Sequence, residues 1–352
     1  MKIMHILWGL NYGGAETMLI DIINEQCLEN KVELLIMNRG IDPDLLLQIN
    51  PQIRVYKINR PPKSKNPFYV LKLNLLLLFS KADIIHSQMD DIIKYFPFYF
   101  LKNNFCLTVH SVRLGYKGIH KYNHIFAITE EVQNSVRKQT GIEAKVVHNG
   151  IETKKFNRKR RNVPDGKFKL VQIGRLDHLH KGQHLTLMVL HRLITFYNYT
   201  EIHLDVIGEG ESEKYLKKLA DNLNINVYVT FLGNRTKDYI RENLTNYNLL
   251  VQPSLWEGFG LTIIEAMSAM TPTLISNVDG MKTASCNGLY SYTFQSGNVD
   301  DYAGKLYQII QLPATERNAL AEKANKYVCD HFDISITVEN YLKQYRQIIS
   351  KK

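Results

Sequence analysis

The sequence predicts an α/β fold made of two successive series of parallel strands. Short apolar runs rich in β-branched residues alternate with helix-length segments from the first residue onward. This alternation is typical of parallel sheets covered by helices. Between the two series, residues 153–169 are polar and strongly basic and contain one proline and one glycine, as linkers between domains often do. These observations predict two Rossmann-like domains in one chain.

Each domain is predicted from its own strands. Strands of the first series are expected at residues 2–8, 31–37, 53–58, 83–86, 105–110 and 124–129. Strands of the second series are expected at residues 170–173, 202–207, 227–232, 249–252 and 273–276. We therefore expect one domain over residues 1–155 and another over 156–334, facing each other across a cleft in which strand ends converge on a ligand. A helix predicted over 335–352 is expected to pack back on the first domain.

Composition narrows the class of protein. With 45% apolar and 22% charged residues, the chain is expected to fold as a soluble protein rather than within a membrane. Its four cysteines are far apart and form no CxxC pair, which excludes a zinc ribbon or a disulfide framework and indicates a reducing compartment. The apolar run at the N-terminus breaks at Gly9 with no cleavage pattern after it, so we expect a cytoplasmic protein without a signal peptide.

The net charge of +10 lies entirely in the first half. Residues 1–170 hold 26 Lys and Arg against 15 Asp and Glu, whereas residues 171–352 hold 18 against 19. Residues 60–81 and 94–105 interleave cations with aromatic residues. The apolar stretch 70–79 is far shorter than the ~20 residues that a spanning helix needs. Either it is a core helix with cationic ends, or it lies at a membrane interface and contacts anionic lipid.

A basic protein can also bind nucleic acid, and the cluster at residues 158–161 could contact phosphates. However, no motif of a nucleic-acid-binding fold accompanies it. We therefore predict no nucleic-acid partner and favour peripheral contact with the inner face of the plasma membrane.

Residues 252–272 carry the clearest sign of chemistry. A strand ends near Pro253, a turn with the sequence Glu257-Gly258-Phe259-Gly260 follows, and a helix is predicted from Leu261 to residue 270. A helix N-terminus presents unpaired N–H groups, and glycines let a phosphate or a sugar approach them. Glu257 and Glu265 lie eight positions apart, and a carboxylate accepts hydrogen bonds from a vicinal diol such as ribose. The alternative is an ordinary turn followed by a solvated helix carboxylate.

The stretch PSLWEGFGLTIIEAM at residues 253–267 resembles the E-x7-E signature of glycosyltransferase family 4, the large group of retaining enzymes with the two-domain GT-B fold. Seven further segments resemble motifs of that family in the family's order: 11–16 (NYGGAE), 83–86 (DIIH), 107–110 (LTVH), 146–151 (VVHNGI), 172–176 (QIGRL) followed by Lys181-Gly182, 206–210 (VIGEG) and 229–233 (VTFLG). The resemblance therefore covers most of the chain.

The resemblance implies roles for individual residues. Arg175 and Lys181 would bind the diphosphate of a nucleotide-sugar and stabilise the charge that grows on the leaving group, with no metal ion and no cofactor. Glu257 would lie near the transferred sugar, and His110 would contact it. Further contacts with the nucleotide-sugar would come from Gly13, Gly14, Gly174, Gly258, Phe259, Gly260, Leu261 and Glu265, the last of these at the ribose.

The implied reaction transfers a sugar with retention of anomeric configuration. The acceptor hydroxyl attacks on the side of the leaving group, whose phosphate can take the proton, so no carboxylate nucleophile is assigned, in contrast to retaining glycosidases. The first domain would bind the acceptor and the second the nucleotide-sugar, with a UDP-sugar expected from its frequency among relatives. A saccharide or lipid-linked acceptor in cell-surface polysaccharide or lipopolysaccharide synthesis is the implied context.

Two alternatives stay open: a sugar-nucleotide epimerase on the same fold, and a non-catalytic binding protein. The chain also departs from the family pattern at Met270-Thr271-Pro272 and after Val278-Asp279-Gly280, where the usual acidic residue is absent. That loop borders the transferred sugar in relatives, so the sequence does not fix which sugar is bound. The segment Gly208-Glu209-Gly210 lacks the third glycine of a dinucleotide fingerprint, which argues against NAD.

Overall fold

The chain folds into two compact units in a computed structural model, which describes residues 1–11, 13–89, 91–98, 104–112, 115–116, 118–158 and 166–350. The first unit comprises Met1–Ile151 together with Ile334–Lys352, and the second comprises Glu152–Asp333. Some residues of predicted interest lie outside the described ones: Tyr12 of the glycine loop, residues 99–103, and residues 159–161 of the basic cluster.

Among the described residues of the first unit, seven parallel strands form one sheet in the order β3-β2-β1-β4-β5-β6-β7. The strands are β1 (Lys2–Leu7), β2 (Lys31–Asn38), β3 (Arg54–Arg60), β4 (Ile84–Ser87), β5 (Phe105–Val109), β6 (His124–Ala127) and β7 (Lys145–Val146). Helices are α1 (Gly14–Gln26), α2 (Pro43–Leu47), α3 (Pro67–Phe79), α4 (Glu130–Thr140) and the C-terminal helix (Ile334–Ile349), and short 3₁₀ turns span Ile92–Tyr95 and Ile119–Lys121.

The second unit repeats this architecture. Its described residues form a parallel sheet in the order β10-β9-β8-β11-β12-β13. The strands are β8 (Phe168–Ile173), β9 (Ile202–Ile207), β10 (Val229–Gly233), β11 (Leu249–Gln252), β12 (Thr273–Ser276) and β13 (Tyr292–Phe294). Helices are α5 (His178–Lys181), α6 (Gln183–Thr195), α7 (Glu213–Asn222), α8 (Lys237–Asn243), α9 (Leu261–Ser268), α10 (Lys282–Ser285), α11 (Val299–Gln311) and α12 (Ala314–His331).

Burial explains why the strands are so apolar. All four residues of β11 and all four of β12 are buried, as are all of β4 and β5. A strand inside a parallel sheet has both faces covered by helices, so its sequence is a continuous apolar run rather than an alternating one. The predicted fold class, two Rossmann-like domains, is confirmed by these two sheets.

Most element boundaries fall within one or two residues of the predictions, and two points need correction. The strands Lys145–Val146 and Tyr292–Phe294 were not predicted, because two or three residues are too few to show a pattern. The helix predicted over 261–270 ends at Ser268.

Candidate functional site

Lys181 and Glu257 form an ion pair in the second unit. The Lys181 Nζ lies 2.5 Å from the Glu257 Oε2, and the two side chains are 27% and 14% exposed. Lys181 ends the short helix α5, and Glu257 follows β11 in the turn before α9. Two groups 76 positions apart in sequence therefore meet in a partly water-excluded position, where an electrostatic contact is stronger than on the open surface.

Backbone contacts hold the two motifs together. The His180 carbonyl accepts a hydrogen bond from the Leu255 N–H at 2.8 Å. Gly182 adopts the left-handed conformation with φ +66°, and a Cβ on it would lie 2.1 Å from the Pro253 carbonyl oxygen. Only glycine satisfies both conditions. The Lys181-Gly182 motif is therefore what lets the end of α5 pack against the chain that leads to Glu257.

The Glu257 carboxylate has further partners. Its Oε1 accepts a hydrogen bond from the Gly258 N–H at 3.2 Å, and its Oε2 lies 3.4 Å from the Ser254 hydroxyl. Ser254 is itself fully buried and receives a 2.8 Å hydrogen bond from the Gln252 amide. Glu257 is thus fixed by a lysine, a backbone amide and a hydroxyl, and its orientation is set before any ligand binds.

Glycines after β8 and β9 allow the backbone to pack closely beside Lys181. A Cβ on Gly208 would lie 2.1 Å from the Gly174 carbonyl oxygen, and a Cβ on Gly210 would lie 2.4 Å from the Leu176 carbonyl oxygen. The segment Gly208-Glu209-Gly210 therefore packs its backbone against the loop after β8. The Lys181 Cδ lies 4.0 Å from the position that a Cβ on Gly174 would occupy, so the lysine side chain extends over this glycine.

The structure does not bring Arg175 to the Lys181–Glu257 pair. Its side chain is 70% exposed, and its Nη2 lies 3.8 Å from the Glu211 Oε1. The Arg175 carbonyl accepts a 2.8 Å hydrogen bond from the Gln183 amide. The backbone at Arg175 is therefore anchored, while its guanidinium group forms an exposed ion pair, a contact worth little energy.

The N-terminus of α9 lies directly after Glu257. Gly260 caps the helix in the left-handed conformation with φ +87°. Gly258, Phe259 and Gly260 are all buried, and the Phe259 ring packs edge-on against Phe332. The first N–H groups of a helix have no intrahelical partner and carry partial positive charge, so this turn has the backbone geometry of an anion site.

Glu265 and Leu261 lie on α9 and are half-buried. Thr262, next to Leu261, donates a 3.3 Å hydrogen bond to the Gln252 amide oxygen at the end of β11. The second unit thus gathers Lys181, Glu257 and the start of α9 at the ends of β8 and β11, which are neighbours in the sheet.

Three predicted site residues lie in the first unit. Gly13 precedes α1 in an extended conformation, and a Cβ on it would lie 2.4 Å from a Glu16 carboxylate oxygen. A larger residue at this position would therefore displace the Glu16 carboxylate, the far end of a flexible side chain. Burial raises the pKa of Glu16. Gly14 begins α1 and is exposed. His110 follows β5 and is half-buried, and its Nε2 lies 2.8 Å from the Gln88 amide oxygen.

His86, in another of the histidine motifs, belongs to the core. It is fully buried, its Nδ1 is 2.5 Å from the Tyr345 hydroxyl, and its Nε2 is 2.8 Å from the Thr108 hydroxyl. The Tyr341 hydroxyl joins this network at Thr108. Burial, with the nearby imidazoles of His5 and His110, lowers the pKa of His86 well below its usual value. This network connects the C-terminal helix to the sheet through contacts that no local sequence pattern indicates.

Within the described part of the chain, no group of three or more His, Cys, Asp or Glu side chains is arranged to hold a metal ion. The same residues include no helix that is both long and apolar enough to cross a bilayer.

Comparison with known proteins agrees with this geometry. Residues 153–327 match the family model described as "Glycosyl transferases group 1". Glycogen synthase of Mycobacterium tuberculosis is 28% identical over 191 residues, which are 54% of this chain and 45% of that protein. An uncharacterized glycosyltransferase of Methanocaldococcus jannaschii is 28% identical over 42% of this chain and 40% of that protein. The chain thus spans less than half the length of these relatives.

Solved structures share the whole fold. Anabaena Alr3699/HepE, solved in complex with UDP and glucose, has a TM-score of 0.83 at 18% identity, covering 99% of this chain and 100% of that one. The fold is therefore that of the GT-B glycosyltransferases. The family model thus matches within the second unit, whereas the likeness to the solved structure extends over both units and shows the fold.

Proposed function

We propose that this protein is a retaining glycosyltransferase of family 4 that transfers a sugar from a nucleotide-sugar, a UDP-sugar in the first instance, to a saccharide or lipid-linked acceptor. The observation that carries the proposal is the Lys181–Glu257 pair, fixed at 2.5 Å beside the N-terminus of α9. It lies within the region that matches the group 1 glycosyltransferase model.

Lys181 would bind the diphosphate. Its ammonium is partly buried and forms an ion pair with Glu257. A diphosphate carries more negative charge than a carboxylate and would draw the ammonium to itself, with the N–H groups at the start of α9 as additional contacts. The exposed Arg175 can turn toward the same phosphates at little cost, because its present ion pair is weak.

The chemistry needs charge stabilisation more than a nucleophile. The bond between the anomeric carbon and the phosphate oxygen breaks as the acceptor oxygen attacks the same face, and the acceptor proton passes to the departing phosphate. Lys181 and Arg175 would stabilise the negative charge that develops on the leaving group, so the reaction is proposed to need no metal ion. Glu265 would bind the ribose, and Glu257 would contact the transferred sugar once Lys181 turns to the phosphates.

In the first unit, Gly13, Gly14 and His110 are proposed to contact the nucleotide-sugar. Gly14 is exposed at the first turn of α1, where backbone N–H groups have no intrahelical partner. The imidazole of His110 is positioned by Gln88 and can exchange this partner for a sugar hydroxyl. A process of the kind named for the structurally similar WaaG, lipopolysaccharide biosynthesis, is the proposed context.

The direct test is a transfer assay with a panel of UDP- and GDP-sugars and mixed saccharide acceptors, read by NMR of the product. The proposal predicts a new glycosidic bond with the anomeric configuration of the nucleotide-sugar. A product of inverted configuration would contradict the retaining mechanism. Incubation of each nucleotide-sugar without acceptor tests the epimerase alternative, because only an epimerase would return an altered sugar still attached to its nucleotide.

We further propose that the enzyme works in the cytoplasm at the inner surface of a membrane. Phe68, Leu71, Leu75 and Phe79 are exposed on α3 at a spacing that places them along one side of the helix. Exposed lysines at positions 65, 72 and 81 accompany them. An apolar helix face with cationic flanks fits an anionic bilayer surface.

Flotation with anionic vesicles at low salt tests this second proposal. The wild-type protein is expected to float, and Phe79→Glu should reduce the floating fraction because it puts a charge on the apolar face. Leu289→Glu, at an exposed position of the second unit, is the matched control and should float as the wild type does. A wild-type protein that stays at the bottom of the gradient would contradict membrane contact.

A further inference from the structure

An apolar surface lies next to the Lys181–Glu257 pair and has no place in the chemistry proposed above. Trp256 is 43% exposed and Leu179 is 67% exposed. His180 follows Leu179 in the chain and contacts the other segment, because its carbonyl accepts hydrogen bonds from the N–H groups of Leu255 and Trp256 at 2.8 and 3.4 Å. We call Leu179, His180 and Trp256 the aromatic shelf.

The shelf is preorganised. The rings of His180 and Trp256 pack edge to face, with centroids 6.2 Å apart and an interplanar angle of 71°. The His180 Nδ1 is held 2.7 Å from the Asp177 Oδ2. Although burial raises the pKa of Asp177, the hydrogen bond and the charges of His180 and Arg175 lower it overall. With Nδ1 occupied, the His180 Nε2 is the atom that can hydrogen-bond a ligand.

Two residues of the aromatic shelf are chain neighbours of the two residues of the ion pair. His180 precedes Lys181, and Trp256 precedes Glu257, so each member of the ion pair has a chain neighbour in the shelf. The ion pair is drawn in toward Gly174, whereas the two aromatic side chains remain at the surface. A molecule that contacts the shelf would therefore lie next to the group bound at Lys181 without occupying the same position.

We propose that the aromatic shelf binds a pyranose ring of the acceptor saccharide. A pyranose has one face of C–H groups and a rim of hydroxyls, which suits an exposed indole with an imidazole nitrogen beside it. The diphosphate and the transferred sugar are assigned to Lys181 and Glu257, and the adjoining ring in the reaction is that of the acceptor, to which the shelf would add a contact beyond those expected from the first domain. This inference rests on the proposed glycosyl transfer and makes Trp256 a specificity-determining residue.

The chain offers a direct optical test, because it contains two tryptophans, Trp8 and Trp256. In the Trp8→Phe protein, all indole emission comes from Trp256. Glucose, galactose, N-acetylglucosamine and their β-1,4-linked dimers would be titrated in the presence of UDP. At least one of them is expected to shift the emission to shorter wavelength as it covers the ring, whereas UDP alone should leave the emission unchanged. No response to any saccharide would overturn the proposal.

Kinetics of position 256 give the second readout. Trp256→Ala is expected to raise the KM for the acceptor about tenfold while changing the KM for the nucleotide-sugar less than about twofold, and Trp256→Phe should recover most of the loss. Phe196→Ala, which removes another exposed aromatic ring of the same unit, is the control and should change neither constant. An effect on the nucleotide-sugar instead would assign the shelf to the transferred sugar and overturn the proposal.

The two proposals fail separately. If the wild-type protein transfers sugar and Trp256→Ala leaves the acceptor KM unchanged, only the shelf is refuted. If the wild-type protein neither binds nor transfers any nucleotide-sugar, the proposed function is refuted, and the emission of Trp256 still reports whether the shelf binds a saccharide.

Discussion

Gly280 lies directly against the backbone of Glu257. A Cβ atom on Gly280 would be 1.7 Å from the Glu257 carbonyl oxygen and 3.1 Å from the Gly258 carbonyl carbon. The 3₁₀ turn Asp279–Met281 after β12 therefore supports the turn that carries Glu257. The loop that departs from the family pattern begins at this contact, so the departure affects the residues after Gly280 and leaves the support of Glu257 in place.

Gly280→Ala should displace the Glu257 turn and weaken nucleotide-sugar binding. The added methyl group cannot be accommodated without backbone movement, and overpacking of this kind typically costs about 1–3 kcal/mol of folding free energy. Thermal unfolding and titration with UDP-sugars would measure both effects. Gly304→Ala is the control: it lies within α11, its Cβ would be 4.0 Å from the nearest atom, and it should leave stability unchanged or raise it.

Tyr345→Phe should destabilise the first unit. The Tyr345 hydroxyl is 2.5 Å from the His86 Nδ1, and both residues are fully buried. The phenylalanine keeps the packing of the C-terminal helix but leaves a buried imidazole nitrogen without its partner, at a cost of about 1–3 kcal/mol. Urea unfolding would measure the loss. Tyr215→Phe, at an exposed position of α7, should be neutral, and equal losses for the two variants would contradict the account.

Stability should fall as the pH falls below about 6.5. Burial lowers the pKa of His5 to about 4, although its hydrogen bond to the Gln26 amide oxygen raises it, and burial also lowers the pKa of His86 well below its usual value. Between the folded and unfolded pKa values only the unfolded chain binds the proton, so acid favours unfolding. His5 alone should contribute a loss of about 2 kcal/mol between pH 7 and pH 5.

Urea unfolding at pH 7 and pH 5 tests this dependence. Replacement of His5 by Asn removes one of the two titrating groups and should flatten the pH profile, even if it lowers stability at pH 7. An unchanged slope in the variant would show that other groups control the acid sensitivity.

Transfer should survive chelation of divalent ions. The charge of the leaving diphosphate is assigned to Lys181, Arg175 and the N-terminus of α9, so no metal ion is required. Initial rates with EDTA and with added Mg²⁺ or Mn²⁺ are expected to agree within about twofold, which is less than ~0.5 kcal/mol in the barrier. Loss of activity in EDTA that Mn²⁺ restores would contradict this expectation.

The sequence predicted the strands well because buried parallel strands are apolar throughout, as in β11 and β12. Resemblance to a family assigned Lys181 and Glu257 to one ligand but did not predict their ion pair, since no local pattern relates residues 76 positions apart. The contact of Gly280 with Glu257 and the bond of His86 with Tyr345 could not be predicted at all. Such contacts depend on how distant segments pack, and a single sequence contains no record of that.

Arg175 and Lys181 have different partners in the structure. Arg175 and Lys181 lie close in sequence and were predicted to act as a pair on one diphosphate, but the structure holds Lys181 at Glu257 and Arg175 against Glu211. The six positions that separate Arg175 from Lys181 include the short helix α5, and the two side chains therefore reach different partners. The joint role of the two cations therefore stays a prediction for the nucleotide-bound protein.

The affinity of UDP for the Lys181→Ala protein, measured by isothermal titration calorimetry, tests the central claim most directly. Loss of a partly buried cation from a diphosphate site should weaken binding at least about tenfold, a change of ~1.4 kcal/mol. Lys217→Ala, which removes an exposed lysine paired with Glu213 on α7, should bind UDP as the wild type does. Equal affinities for the wild type and Lys181→Ala would contradict the account.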